Sequence, residues 1–118
     1  MNAQDFVVAI RRLVMDAAVS DTVSVLQRPR GRRPDPELVE LSAWYDGLGD
    51  ADRVMLKRTF AIVAHHAVFG LFVVLDGSRK IDPAEGANDY FELRQVHGSG
   101  SPDDILSGPQ GQILHELL

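Results

Sequence analysis

From Ala51 to Leu75 the chain runs without a proline, and its one glycine is Gly70. Read as one helix, this stretch is about 35 Å long at 1.5 Å per residue, which makes it the central element. Its first part is amphipathic: Val54, Leu56, Phe60, Val63 and Ala64 alternate with Asp52, Arg53, Lys57 and Arg58. From Ala67 onward it is apolar all round, the pattern of a helix whose first half lies on a surface and whose second half passes through a core. A rival reading makes Phe69 to Leu75 a buried strand, because FVVL is β-prone and Gly70 is a poor helix residue.

Two further helices precede it. Phe6, Ile10, Leu13, Val14 and Ala17 recur at spacings of three and four, which predicts a first helix from Ala3 to about Ala18. The next residues in that phase are Ser20, Asp21 and Ser24, whereas Val19, Val23 and Leu26 follow a shifted stripe. The pattern therefore predicts a break near Ser20 and a short second segment through Gln27, ended at Arg28-Pro29. Asp35-Pro36 is a start signal, a capping carboxylate followed by a proline at the first helical position. The helix it opens should run to about Leu48 and bury Leu38, Leu41, Trp44, Tyr45 and Leu48. Asp50 then caps the central helix.

After Asp76-Gly77 the pattern changes period. SRKIDPAEGAND is a loop rich in turn formers, with room for one short strand over Ser78 to Ile81. DYFELRQV alternates as a half-buried strand with Phe91 and Leu93 inward. GSGS lacks the lysine and following helix of a phosphate-binding loop and reads as a hairpin turn, with Asp104 to Ser107 pairing back. QILHELL ends the chain in a helical turn or two, with Ile113, Leu114, Leu117 and Leu118 on one side. The fold class is thus α+β: three main helices including the long central one, a small antiparallel hairpin and a short C-terminal helix. At 118 residues this is one domain, residues 1–118, with a basic Pro/Gly loop at 28–35 inside it.

The absence of cysteine removes disulfides, thiolate metal sites and cysteine nucleophiles, and no ligand spacing or cofactor motif suggests a metal or a cofactor. The N-terminal stretch, an acid before an apolar run broken by two arginines, is unlike a secretory signal. The longest nearly pure apolar run, Ala67 to Leu75, is short of the ~20 residues of a membrane helix, so the expectation is a cytoplasmic protein without a membrane span. Charge is uneven: residues 1–33 carry six arginines against three aspartates, and the remainder six basic against fourteen acidic residues, for a net −5. Arg28, Arg30, Arg32 and Arg33 form an anion-binding candidate, but an acidic remainder without a nucleic-acid motif favours a solvated loop whose arginines pair with the chain's own carboxylates or with an acidic partner.

The combination GRRPDPELVELSAWYDGL, DADR, AVFGLFVVLDG and a terminal LHELL resembles a pattern of small uncharacterised bacterial proteins. It covers about 80 residues, and its most specific parts are Trp44-Tyr45, Ala67 to Gly70 and Asp76-Gly77. The resemblance implies a bacterial α+β domain and carries over no catalytic residue. Small size and acidity also associate the chain with toxin-neutralising immunity proteins.

Two functional readings follow. The first is a protein-binding module acting through an acidic surface, with Asp76, Arg79, Asp82, Glu85 and Asp89 as the partner-binding set. Self-association into a homodimer belongs with it, because Leu117 and Leu118 are candidates for an exposed apolar end. The second is an enzyme or small-ligand binder in which His65 or His66 acts with Asp76 and Arg79, or with His97 or His115. Neighbouring histidines on a helix point about 100° apart, so His65-His66 suits one inward and one rim position better than a shared metal. No motif defines a reaction, and the interaction reading takes precedence.

Overall fold

The computed structural model describes residues 1–118 apart from Pro83, Glu85 and Ala87. It is α+β, with a long helix, a two-stranded antiparallel hairpin and a short C-terminal helix. Its elements are α1 (Ala3–Ile10), a π-helical segment (Arg11–Asp16), α2 (Ala17–Gln27), α3 (Pro36–Asp46), α4 (Asp50–Leu75), β1 (Leu93–Gln95), β2 (Asp104–Ser107) and α5 (Leu114–Leu117). They divide into two compact units, Met1–Arg12 with His66–Leu118, and Leu13–His65.

In the first unit Ala3 and Val7 of α1, Phe72 of α4 and Leu114 of α5 form a buried cluster, with Phe6, Ile10, Leu75, Leu93 and Leu117 packed against it. The Phe6 and Phe72 rings lie 6.2 Å apart in a tilted pair. Leu117 and Leu118 pack on this core, so the chain end is not the exposed apolar patch expected of it. The hairpin pairs Arg94 with Ile105 and Gln95 with Asp104, and a register shift follows at Leu93, which pairs with Ser107. The extra residue turns two consecutive side chains inward, and Leu106 and Ser107 are both buried. The predicted strand over Ser78 to Ile81 is bend and irregular backbone, and Phe91, expected inward, is exposed because β1 begins only at Leu93.

In the second unit α2 packs on α3. Asp35 caps α3 as predicted, its carboxylate accepting the Glu37 N–H at 2.8 Å, with Pro36 in the first turn. The buried stripe of α3 passes through Ser42 and Tyr45, a phase that leaves Leu41 exposed and Trp44 52% exposed instead of buried. At the other end of α3, Arg53 of α4 donates to the carbonyls of Tyr45 (3.3 Å) and Asp46 (3.0 Å) and lies 4.9 Å from the Tyr45 ring centre. One guanidinium thus caps α3 and holds it to the start of α4.

No break occurs near Ser20. The helical path continues from Ala3 to Gln27 through the π segment, whose wider turn shifts the side-chain phase. Leu13 and Val14, which fit a regular α stripe, are swung outward, and Met15, Val19 and Leu26 are buried instead. The shifted stripe in the sequence was the mark of this segment. The residues Phe69 to Leu75 are helical, which settles the helix-or-strand alternative. Yet α4 does not cross a core along its apolar half: only Phe72 and Val73 are buried in it. By length and composition α4 could also cross a membrane, at a mean hydropathy of 1.7 over its most apolar window. The nine-residue run counted in the sequence had missed this, because that window reaches back through His65-His66.

Candidate functional site

The polar group most completely built into the first unit is Asp76. It follows Leu75 at the end of α4, where a left-handed Gly77 (φ +78°) closes the helix. Gly77 N–H donates to the Val74 carbonyl and Ser78 N–H to the Val73 carbonyl, both at 3.0 Å, the paired bonds of a Schellman closure. A carboxylate is the wrong charge for a helix C-terminus. Here it faces the start of α5, whose own N-cap, Ile113, has no side-chain oxygen to offer. Asp76 Oδ1 accepts the Leu114 N–H at 3.0 Å, and Oδ2 accepts the His115 N–H at 2.9 Å. Asp76 therefore caps α5 from across the unit.

Two side chains complete the group. Ser107 Oγ donates to Asp76 Oδ1 at 3.0 Å, and His115 Nδ1–H donates to Oδ2 at 2.8 Å. The Asp76 side chain is 2% exposed. Burial pushes its pKa up, but the His115 and Leu114 amides, then the His115 ring and the Ser107 hydroxyl, outweigh this and hold it below the ordinary carboxylate value. The His115 ring meets Phe69 edge to face at 5.5 Å. Gly111 lets the following turn approach: a Cβ there would fall 2.8 Å from the Ser107 Cα.

Serine, histidine and aspartate are the side chains of a hydrolytic triad, but their order here is different. Ser107 donates to the carboxylate and not to the imidazole, and it is fully buried, so its hydroxyl is neither activated nor reachable. What the arrangement does is tie the end of α4, strand β2 and α5 together at one carboxylate. The cleft beside it, lined by Leu75, Asp76, Gly77, Tyr90, Phe91, Gly108 and Pro109, is about 120 Å³, below the ~300 Å³ at which small-molecule sites begin. A wider groove of about 490 Å³ passes Asp103 and Asp104. Both carboxylates already have partners: Asp104 the Met1 ammonium (2.8 Å) and His97 (3.0 Å), and Asp103 the Arg94 guanidinium (3.1 Å). The ammonium and then His97 hold the Asp104 carboxyl below its ordinary value.

The sequence-chosen residues do not form one site: Asp82 and Asp89 line a common cleft of about 350 Å³ with Ile81, Tyr90 and Phe91, whereas Asp76 is enclosed elsewhere. Asp76 is a buried clasp, not a docking carboxylate. Asp82 accepts the Ala84 N–H at 2.9 Å and Asp89 the Gly86 N–H at 2.7 Å, so each shapes its own loop. Glu85 lies outside the described residues. Arg79 folds back over α4, its Nη1 3.8 Å from where a Cβ on Gly70 would stand. His65 and His66 precede Asp76 by eleven and ten residues, about 15 Å of helix rise, so they do not converge on it. Arg28, Arg30, Arg32 and Arg33 are exposed, and among the described residues none has the carboxylate partner expected of it. No group of three or more His, Asp or Glu among the described residues is placed to hold a metal ion.

Sequence reasoning singled out Asp76 but missed Ser107 and the capping role. The available signal was an acidic residue at the C-terminal end of a long helix, where the helix dipole disfavours it. His115 had been considered, though as a partner for the α4 histidines. No protein-family model matches the chain, nor does any curated protein or solved structure.

Proposed function

We propose that this chain is a protein-interaction module whose docking surface is apolar and lies on the helices of the second unit. The observation that supports this most directly is the balance of side chains there. Among the described residues of Leu13–His65, nine large hydrophobics are exposed and four apolar residues are buried. The first unit keeps a similar excess, ten exposed against six buried among the described residues, but spread over loops, hairpin and helices; in the second unit the exposed apolar side chains are gathered on helices, which supports a contact surface there. The acidic-surface version of the reading has less support, since Asp76 is enclosed and Asp82 and Asp89 engage their own loop.

The test is a photo-crosslinking amino acid placed at Trp44 or Val63 in cells that express the chain, with Lys80 as a control. Protein adducts at Trp44 and Val63 and none at Lys80 are expected. Absence of a protein adduct at both helical positions overturns the reading.

A further inference from the structure

Resting on that reading, we propose that the groove between α2 and α3 takes an apolar polypeptide segment whose acidic end meets the arginines of the loop joining the two helices. The groove, about 260 Å³, is walled by Val25 and Leu26 of α2 and by Leu38 and Leu41 of α3, together with Asp21 and Thr22. Leu26 lies in the last turn of α2 and Leu38 in the first turn of α3. The groove therefore reaches the end at which residues 28–35 connect these helices. Its volume is below the ~300 Å³ at which small-molecule sites begin, so it suits the side chains of a larger partner.

Charge selects the occupant. Arg28, Arg30, Arg32 and Arg33 are exposed, and among the described residues none is paired with a carboxylate, although the chain holds 17 acidic residues against 12 basic. The carboxylate nearest in sequence, Asp35, accepts the Glu37 N–H in the cap of α3. Pro29 and Pro34 restrict the loop and Gly31 turns it at φ +89°, so less freedom is lost when its guanidinium groups are engaged. Carboxylates are the natural complement of such a cluster.

Along the helices the sign reverses. Asp21 lines the groove, and Glu37 stands one turn before Leu41 on α3, both exposed. A uniform polyanion laid along the groove, whether a nucleic acid or an anionic bilayer, would meet these carboxylates and be repelled. The loop also has no aromatic side chain on which a base could stack. A polypeptide with acidic residues at one end and apolar side chains after them satisfies both halves of the site. In helical form those apolar side chains recur at spacings of three and four, as for other helices seated in grooves.

The test is selection on the full chain from a display library of random peptides, each about 15 residues long, enough for four helical turns. Enriched sequences should carry Asp or Glu at one end of an apolar stripe spaced by three and four. The best of them, labelled and followed by fluorescence anisotropy, should bind at least about 30-fold more weakly when Arg28, Arg30, Arg32 and Arg33 are all replaced by Gln. Leu41→Glu, at an exposed position of the groove, should weaken binding about tenfold. Both variants alter exposed side chains, so the fold should be retained.

Failure to enrich any sequence, or peptides whose acidic residues can be exchanged for Asn and Gln without loss, overturns the acidic partner. Unchanged binding by Leu41→Glu overturns the groove as its seat. Tighter binding of a single-stranded oligonucleotide or of phosphatidylglycerol vesicles than of any selected peptide overturns a polypeptide as the occupant. Protein adducts at Trp44 and Val63 that persist in the four-arginine variant sink the acidic partner and leave the interaction reading standing.

Discussion

The two units use polar chemistry in opposite ways. In the first, one buried carboxylate satisfies four donors from β2 and α5, beside a core of Val7, Phe72 and Leu114. In the second, no comparable polar knot gathers the helices among the described residues. Arg53 secures the α3–α4 corner, while Val39, Leu41, Trp44 and Ile62 face outward. Both units keep more large apolar side chains exposed than buried; the contrast lies in how each is held, the first by one buried carboxylate and the second by a guanidinium at a helix corner.

Removing the clasp is the strongest way to break this comparison. Asp76→Ala leaves the Leu114 and His115 amides, the Ser107 hydroxyl and the His115 ring without their acceptor, a loss on the order of 3 kcal/mol. Amide exchange at Leu114 and His115 should accelerate, whereas the emission of Trp44, the sole tryptophan, should not change; a shift in both would mean that the units are not separable. Next in size is Gly111→Ala. Its Cβ would meet Ser107 backbone at 2.8 Å, so β2 must move, at about 2 kcal/mol. Urea unfolding should show it, and an unchanged midpoint would mean that the turn relaxes freely.

On the other side, Arg53→Ala removes two bonds to the end of α3 and a cation–π contact, about 1.5 kcal/mol. Thermal unfolding followed through Trp44 should drop while exchange at Leu114 holds. The smallest effect is that of pH. Because the folded carboxyl of Asp76 lies below its ordinary value, its stabilisation is fully present above about pH 4 and is lost as pH falls through the lower folded value. Stability of the first unit should therefore be flat with respect to Asp76 from pH 7 to 5 and fall below pH 4. Asp76→Asn should flatten that acid limb; an acid limb of unchanged steepness would assign it to other carboxylates.

Much of the architecture was legible because it is written in local spacing. Asp35-Pro36, the span of α4, the Asp76-Gly77 stop and the hairpin over GSGS each depend on neighbours a few residues away. The first helix shows the limit. Its change of stripe was visible, but a break and a π segment shift the phase alike, and only the backbone bonds tell them apart. Trp44 and Leu41 were assigned to the interior because they are apolar, while the stripe that α2 covers passes through Ser42.

The candidate site divides in the same manner. Asp76 stood out because it follows a long apolar element and opens a run with a hydroxyl and two cations, Ser78, Arg79 and Lys80, a local feature. Its partners Ser107 and His115 lie 31 and 39 residues away, and no periodicity spans such a distance. The sequence by itself determined the Asp35-Pro36 start of α3, the span of α4, the hairpin and the lack of charge along α4 from Thr59 onward, all set by short-range spacing and chain composition. Only the tertiary structure decided which apolar stripes are covered, that an aspartate is a clasp and not a docking charge, and that α4 stays largely exposed, because burial depends on which distant surface arrives.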